Sequence, residues 1–143
     1  MKSFFIVFAV VALLSLTGCS NKVALTGKVT YSDDGGPLDV GTVCFATDTY
    51  VARGTLRPDG TYRVGSISER DGLPPGTYQV YIDGARRVIG TDRLGLPIYE
   101  PLIDRNFFSG TTSGITLTVP APQGRFDFQV ERYVPPDVRS GRR

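Results

Sequence analysis

Leu73-Pro74-Pro75-Gly76-Thr77-Tyr78-Gln79-Val80-Tyr81-Ile82-Asp83 is the stretch that decides the fold. Two prolines end whatever precedes it, and Gly76 stands where a positive φ is cheap for glycine alone. Tyr78, Val80 and Ile82 then alternate with Gln79, Tyr81 and Asp83. A period of two predicts a strand with one face in a core and the other in water. Outward from this stretch the alternation recurs. Leu25, Val29 and Tyr31 oppose Thr26, Lys28 and Thr30, while Val43 and Phe45 oppose Thr42, Cys44 and Ala46. Residues 51–56 and 61–64 flank the turn Arg57-Pro58-Asp59-Gly60. Ile115, Leu117 and Val119 oppose Thr116 and Thr118, and Phe126, Phe128 and Val130 oppose Asp127 and Gln129. No amphipathic helical pattern exceeds about two turns, because Gly or Pro interrupts each candidate.

Seven such strands predict an all-β fold, an antiparallel β-sandwich of about seven strands. Phe45, Tyr78, Val80, Ile82, Phe126 and Phe128 share one parity each and are expected to share the core. Residues 84–114 are long for a loop, so a short extra strand near 87–89 and one helical turn near 102–107 are expected there. Pro135-Pro136 cannot continue a ladder, and residues 134–143 read as a flexible tail.

Composition limits the chemistry. The chain has 143 residues, 41% of them hydrophobic, enough for one domain with a core. Sixteen basic residues against 14 acidic ones give no excess suited to nucleic acid. The absence of His removes imidazole catalysis and His-containing metal sites. Two cysteines cannot build a disulfide scaffold or a four-thiolate site.

At the N-terminus, Met1-Lys2 precedes an apolar run of eleven residues, 4–14. That is too short for an ordinary membrane span and the size of a signal-peptide core, a cleaved leader helix. The run closes on Leu16-Thr17-Gly18-Cys19, which resembles the bacterial lipobox. The resemblance implies cleavage before Cys19, a diacylglyceryl group on its thiol and acylation of the new amine. Residues 1–18 are then the leader, 19–22 a lipidated tether, and 125 residues remain. Several acyl chains on one residue suffice for stable anchoring in a membrane. Ser20 follows the cysteine, and enteric-type sorting implies the outer membrane for it.

Thr26-Gly27-Lys28-Val29-Thr30-Tyr31, Gly36-Pro37-Leu38 and Gly41-Thr42-Val43-Cys44-Phe45 form a strand–turn–strand opening. With Gly54-Thr55-Leu56, Asp59-Gly60-Thr61-Tyr62 and the stretch 73–80, the chain resembles a carboxypeptidase regulatory-like domain, a transthyretin-like (prealbumin-like) sandwich. Small bacterial lipoproteins of that kind close with strands similar to Thr112-Ser113-Gly114-Ile115 and Phe126-Asp127-Phe128. The resemblance spans residues 23–131, within a sandwich placed at 23–133, and implies fold without a catalytic set. Transthyretin-like hydroxyisourate hydrolases are excluded, since they use histidines and a terminal Tyr-Arg-Gly-Ser that Ser140-Gly141-Arg142-Arg143 does not match.

Cys44 stands in an apolar strand without a histidine base, so a buried, inert thiol is expected. Asp33, Asp34 and Asp39 surround Gly35-Gly36; they match no EF-hand spacing, and hairpin chemistry is favoured over calcium. Arg53, Arg57, Arg63, Arg86, Arg87, Arg93 and Arg105 are interspersed with acids as a mixed surface. Tyr50, Tyr81 and Tyr99 offer flat faces for sugar rings, though rim tyrosines are common without ligands. The expectation is a lipid-anchored, non-enzymatic module of the cell envelope, facing the periplasm or exterior, without cofactor or metal. A glycan- or wall-binding module is the alternative, and a carboxylate-only glycosidase is a third class.

Overall fold

A computed structural model describes residues 21–65 and 71–136. Nine strands form within them: β1 (Thr26–Tyr31), β2 (Thr42–Ala46), β3 (Val51–Thr55), β4 (Thr61–Arg63), β5 (Gly76–Asp83), β6 (Arg86–Thr91), β7 (Pro97–Pro101), β8 (Ile115–Val119) and β9 (Phe128–Val130). Seven of them build the sandwich, one sheet in the order β4-β1-β9 and the other β3-β2-β5-β8. The remaining two, β6 and β7, pair only with each other. A 3₁₀ turn at Arg105–Phe108 lies in the long connection to β8.

The period-two reading of β5 holds: Tyr78, Val80 and Ile82 are buried and Gln79 and Asp83 exposed. They meet Val29, Tyr62 and Val130 of the facing sheet in a single core with Val43 and Phe45. Tyr62 is buried and its hydroxyl donates to the Phe126 carbonyl, so the ring's one polar atom is satisfied. Burial pushes the Tyr62 hydroxyl pKa upward. Gly27 makes this possible, since a Cβ there would collide with the Tyr62 hydroxyl and the Phe126 carbonyl. At the other turn, the Tyr78 hydroxyl donates to the Pro74 carbonyl at 2.7 Å and ties β5 to the proline bend before it.

The β-sandwich is as expected, with one refinement and one correction. The sandwich is not wholly antiparallel: β9 runs parallel to β1, pairing Val29 with Phe128 and Tyr31 with Val130. Residues 32–127 lie between these two strands, ample length for the crossover a parallel pair requires. Phe126 and Phe128 are half-buried instead of central, while Val130 is fully buried. They stack on each other at 5.5 Å beside a three-residue edge strand, where no further strand of the described residues covers them. Cys44 is buried, as expected of it, although it stands opposite Val43 and Phe45 in parity. Strand β2 is flanked on both sides, and Arg53 and Tyr81 stand beside Cys44 in the register.

Chain polarity gives the sandwich two distinguishable ends. Val23 pairs with Leu73, just before β5 begins, so the described chain enters the sandwich at that end. Strand β5 then runs eight residues, about 25 Å, to Asp83 at the opposite end. There β6 and β7 leave the sandwich.

Candidate functional site

Leu16, Thr17, Gly18 and Cys19 lie outside the described residues. Cys44 is a free thiol in the core layer, its Sγ 3.7 Å from the Thr42 carbonyl. Burial pushes its pKa up, so the nucleophilic thiolate is suppressed.

Asp33 and Asp34 turn out to serve an arginine. Arg132, just after β9, donates from Nε to Asp33 Oδ2 at 2.7 Å and from Nη2 to Asp34 Oδ2 at 3.0 Å. Its guanidinium also lies 3.6 Å from the Tyr31 ring centroid. The Gly36 amide, aided by Arg132, holds the Asp34 carboxyl below its ordinary pKa. Asp39 is exposed and takes no part in this clamp. Among the described residues no group of three or more Cys, Asp or Glu is placed to hold a metal ion.

Of the three tyrosines expected to be available to sugars, Tyr50 is half-buried edge-on to Tyr78, with a hydroxyl that has no hydrogen-bond partner among the described residues. Tyr81 is half-buried on the outer face of β5, beneath Gly110 of the long connection. Tyr99 is exposed, on β7.

The remaining feature is the β6–β7 arm. Its turn is built by Asp92, whose Oδ1 accepts from the amides of Leu94 and Leu96 at 2.8 and 2.9 Å. Gly95, at φ +80°, completes the reversal. A bulge between Val88 and Gly90 interrupts the register. The base is stitched to the sandwich: Ala85 and Ile103 are fully buried, and the Leu102 amide donates to the Ala85 carbonyl. Beyond the base almost everything is in water. Val88, Ile89, Leu94, Leu96, Ile98 and Tyr99 are all exposed, Leu94 at the tip by 84%. Six large apolar side chains on one two-stranded ribbon form the kind of patch that marks an interaction site. An isolated ribbon of this type is marginal in water, so these side chains are not there to hold the arm together.

Strand register divides the arm into two faces. Arg87 and Glu100 pair on one, with Arg87 Nη2 2.8 Å from Glu100 Oε2. Arg86, Val88, Tyr99 and Pro101 share the other. There Arg86 sits over the Tyr99 ring at 5.7 Å, and the 3₁₀ turn brings Arg105 and Phe108 alongside. Together they line a groove of about 380 Å³. The turn is fixed in place by Asp104, which accepts from the Asn106 amide, and by Ser113, whose hydroxyl donates to the Val80 carbonyl of β5.

The sequence had suggested a strand near 87–89 and a helical turn near 102–107, and both have counterparts in β6 and the 3₁₀ turn. Strand β7 and the groove were not foreseen. The available signal was Asp92 and Gly95 between two runs of large apolar residues, a hairpin pattern hidden by Pro97 and Pro101.

No family model and no curated protein matches the chain. Among solved structures it is similar to a DUF3823 family protein from Bacteroides ovatus at 20% identity and a TM-score of 0.43, covering 78% of this chain and 45% of that one. It is similar to a 9R-lipoxygenase from Cyanothece at 16% identity and a TM-score of 0.35, covering 76% of this chain and 16% of that one. The chain thus spans less than half the length of either.

Proposed function

We propose that this chain is a lipid-anchored lipoprotein of the cell envelope whose sandwich is a non-enzymatic interaction module. The observation that carries the reading is the arm: six exposed large apolar side chains at the end of the sandwich opposite the Val23 entry. Lipid on Cys19 would place the bilayer four residues from Val23, within about 15 Å of chain. The arm would then face away from that membrane. Ser20 favours the outer membrane for the anchor. The carboxypeptidase regulatory-like resemblance is supported by its turn motifs falling between strands: Gly36-Pro37-Leu38 connects β1 to β2, and Asp59-Gly60 connects β3 to β4. The runner-up, a glycan- or wall-binding module, rests on the exposed Tyr99 ring.

Mass spectrometry and in-cell cross-linking test the proposal together. The native protein should lack residues 1–18 and carry lipid on Cys19, and Cys19→Ala should abolish membrane association. A photo-cross-linker at Leu94 should capture an envelope component, whereas one at Arg57 on the β3–β4 turn should not. An unmodified Cys19, or equal capture from both positions, overturns the reading.

A further inference from the structure

We infer that the groove between the arm and the 3₁₀ turn binds an acidic peptide segment of a partner protein, with its carboxylates on Arg86 and Arg105 and its apolar side chains on Tyr99 and Phe108. This inference rests on the interaction-module reading and names the partner's chemistry.

Charge is the first argument. Arg87, Arg125 and Arg132 each meet a carboxylate, and so does Lys22. Arg86 and Arg105 do not, among the described residues, and nor do Arg53, Arg57, Arg63 and Arg93 elsewhere; Arg86 and Arg105 differ in lining the same groove, each guanidinium over a ring, Tyr99 for Arg86 and Tyr133 for Arg105 at 5.9 Å. Two arginines therefore line one groove, and neither meets an acid among the described residues. Guanidinium matches carboxylate in shape as well as in charge, and bidentate pairs of this kind are strong.

Lining chemistry is the second. Tyr99, Pro101 and Phe108 make the walls apolar, and exposed Val88 extends the same face outward. Among the described residues no lining side chain is a carboxylate or amide that could accept from the many hydroxyls of a sugar. An anion carrying aliphatic or aromatic groups fits these walls better than a saccharide.

The mode of docking follows from the edge. Because the Leu102 amide points to Ala85, the inward amides of β7 are those of Ile98 and Glu100. Positions 97, 99 and 101 face outward, and two of them are prolines without an N–H. A partner strand cannot extend a ladder along that edge. Along β7, recognition therefore runs through side chains in the groove.

Fluorescence anisotropy with the purified full chain and hexapeptide probes tests this. Each probe carries two Glu and two Leu or Phe, and its matched control replaces Glu by Gln. The acidic probes should bind and the Gln controls should bind at least about tenfold more weakly. Arg86→Gln and Arg105→Gln should each weaken binding by about tenfold, whereas Arg57→Gln should leave it unchanged. Both substitutions are at exposed positions, so the fold is not at stake. Equal binding of acidic and Gln probes, or indifference to both arginine variants, overturns the inference. Binding of polygalacturonate oligomers with no binding of any peptide also overturns it, while leaving an interaction module that reads an acidic glycan. No binding of either probe, with Leu94 cross-linking still specific, overturns the peptide alone; loss of that specificity removes the broader reading as well.

Discussion

Strand β5 and the β6–β7 arm follow each other directly in the chain, and both are rich in large apolar residues, yet their environments are opposite. In β5 the apolar side chains point to a facing sheet and vanish from solvent. In the arm every residue of β6 is exposed, as are Leu94 and Leu96 in the turn. The difference lies in what stands across from each strand. Val80 and Ile82 lie in a register between β2 and β8 or β2 alone, beneath a second sheet. Among the described residues Val88 and Ile98 have one neighbouring strand each and no second sheet over them. The same kinds of side chain therefore stabilise the fold in one region and remain available to a partner in the other.

The sharpest way to break this contrast is to cut side chains from each region. Phe45→Ala empties a fully buried site and should cost about 3–5 kcal/mol of stability. Leu94→Ser at the arm tip should stay within about 0.5 kcal/mol, both read from denaturant titrations. Similar losses at the two positions would mean that the arm belongs to the core.

A smaller effect is expected at Tyr62. Tyr62→Phe leaves the ring in place but removes the partner of the part-buried Phe126 carbonyl, at a cost of about 1–3 kcal/mol. Edge strand β9 falls between the extremes: Phe128→Ala should cost about 1–3 kcal/mol, less than Phe45→Ala, and Gln129→Ala within about 0.5 kcal/mol. If the Gln129 change were the worse of the two, the faces of β9 would be reversed.

Thiol labelling sharpens the comparison without changing stability. Cys44 should react slowly in the folded protein and rapidly in denaturant, because it is buried and its pKa is raised. A cysteine introduced at Leu94 should react quickly in both states.

The least effect concerns acid. Asp34 has a depressed carboxyl pKa in the folded chain, so its contribution is present above the unfolded pKa and is lost as pH falls through the folded one. Asp34→Asn should leave stability at neutral pH nearly unchanged, since the clamp is exposed, and should flatten the decline in that acidic window. An unchanged acid limb would show that the Arg132 clamp contributes nothing.

Much of the sandwich was legible from alternation alone, because a buried face imposes period two on the residues that line it. The strand containing Tyr78, Val80 and Ile82 is the clearest case. Where only one side is covered, the pattern gives parity without depth: Phe126 and Phe128 point inward but are half-exposed at the edge. Cys44 shows the converse, a residue on the polar parity that is buried because β2 is central. The arm escaped because no core face selects its side chains, so apolar residues occupy both parities and no alternation results. The groove escaped for another reason. Arg86, Tyr99 and Arg105 are separated in sequence and meet only through the β6–β7 register and the 3₁₀ turn. Likewise Asp33 and Asp34 read as hairpin residues, and nothing local reveals Arg132, 98 positions beyond Asp34.

The central claim is that the sandwich carries the fold and the arm does not. It is tested most directly by replacing residues 87–100 with a two-residue Asn-Gly turn between Arg86 and Pro101, which already face each other across the ladder. Denaturant unfolding of this variant should give a stability within about 1 kcal/mol of the intact chain, as expected for loss of a ribbon that is marginal by itself. A loss as large as that of Phe45→Ala, or failure to fold, would contradict the account and make the arm part of the structural core.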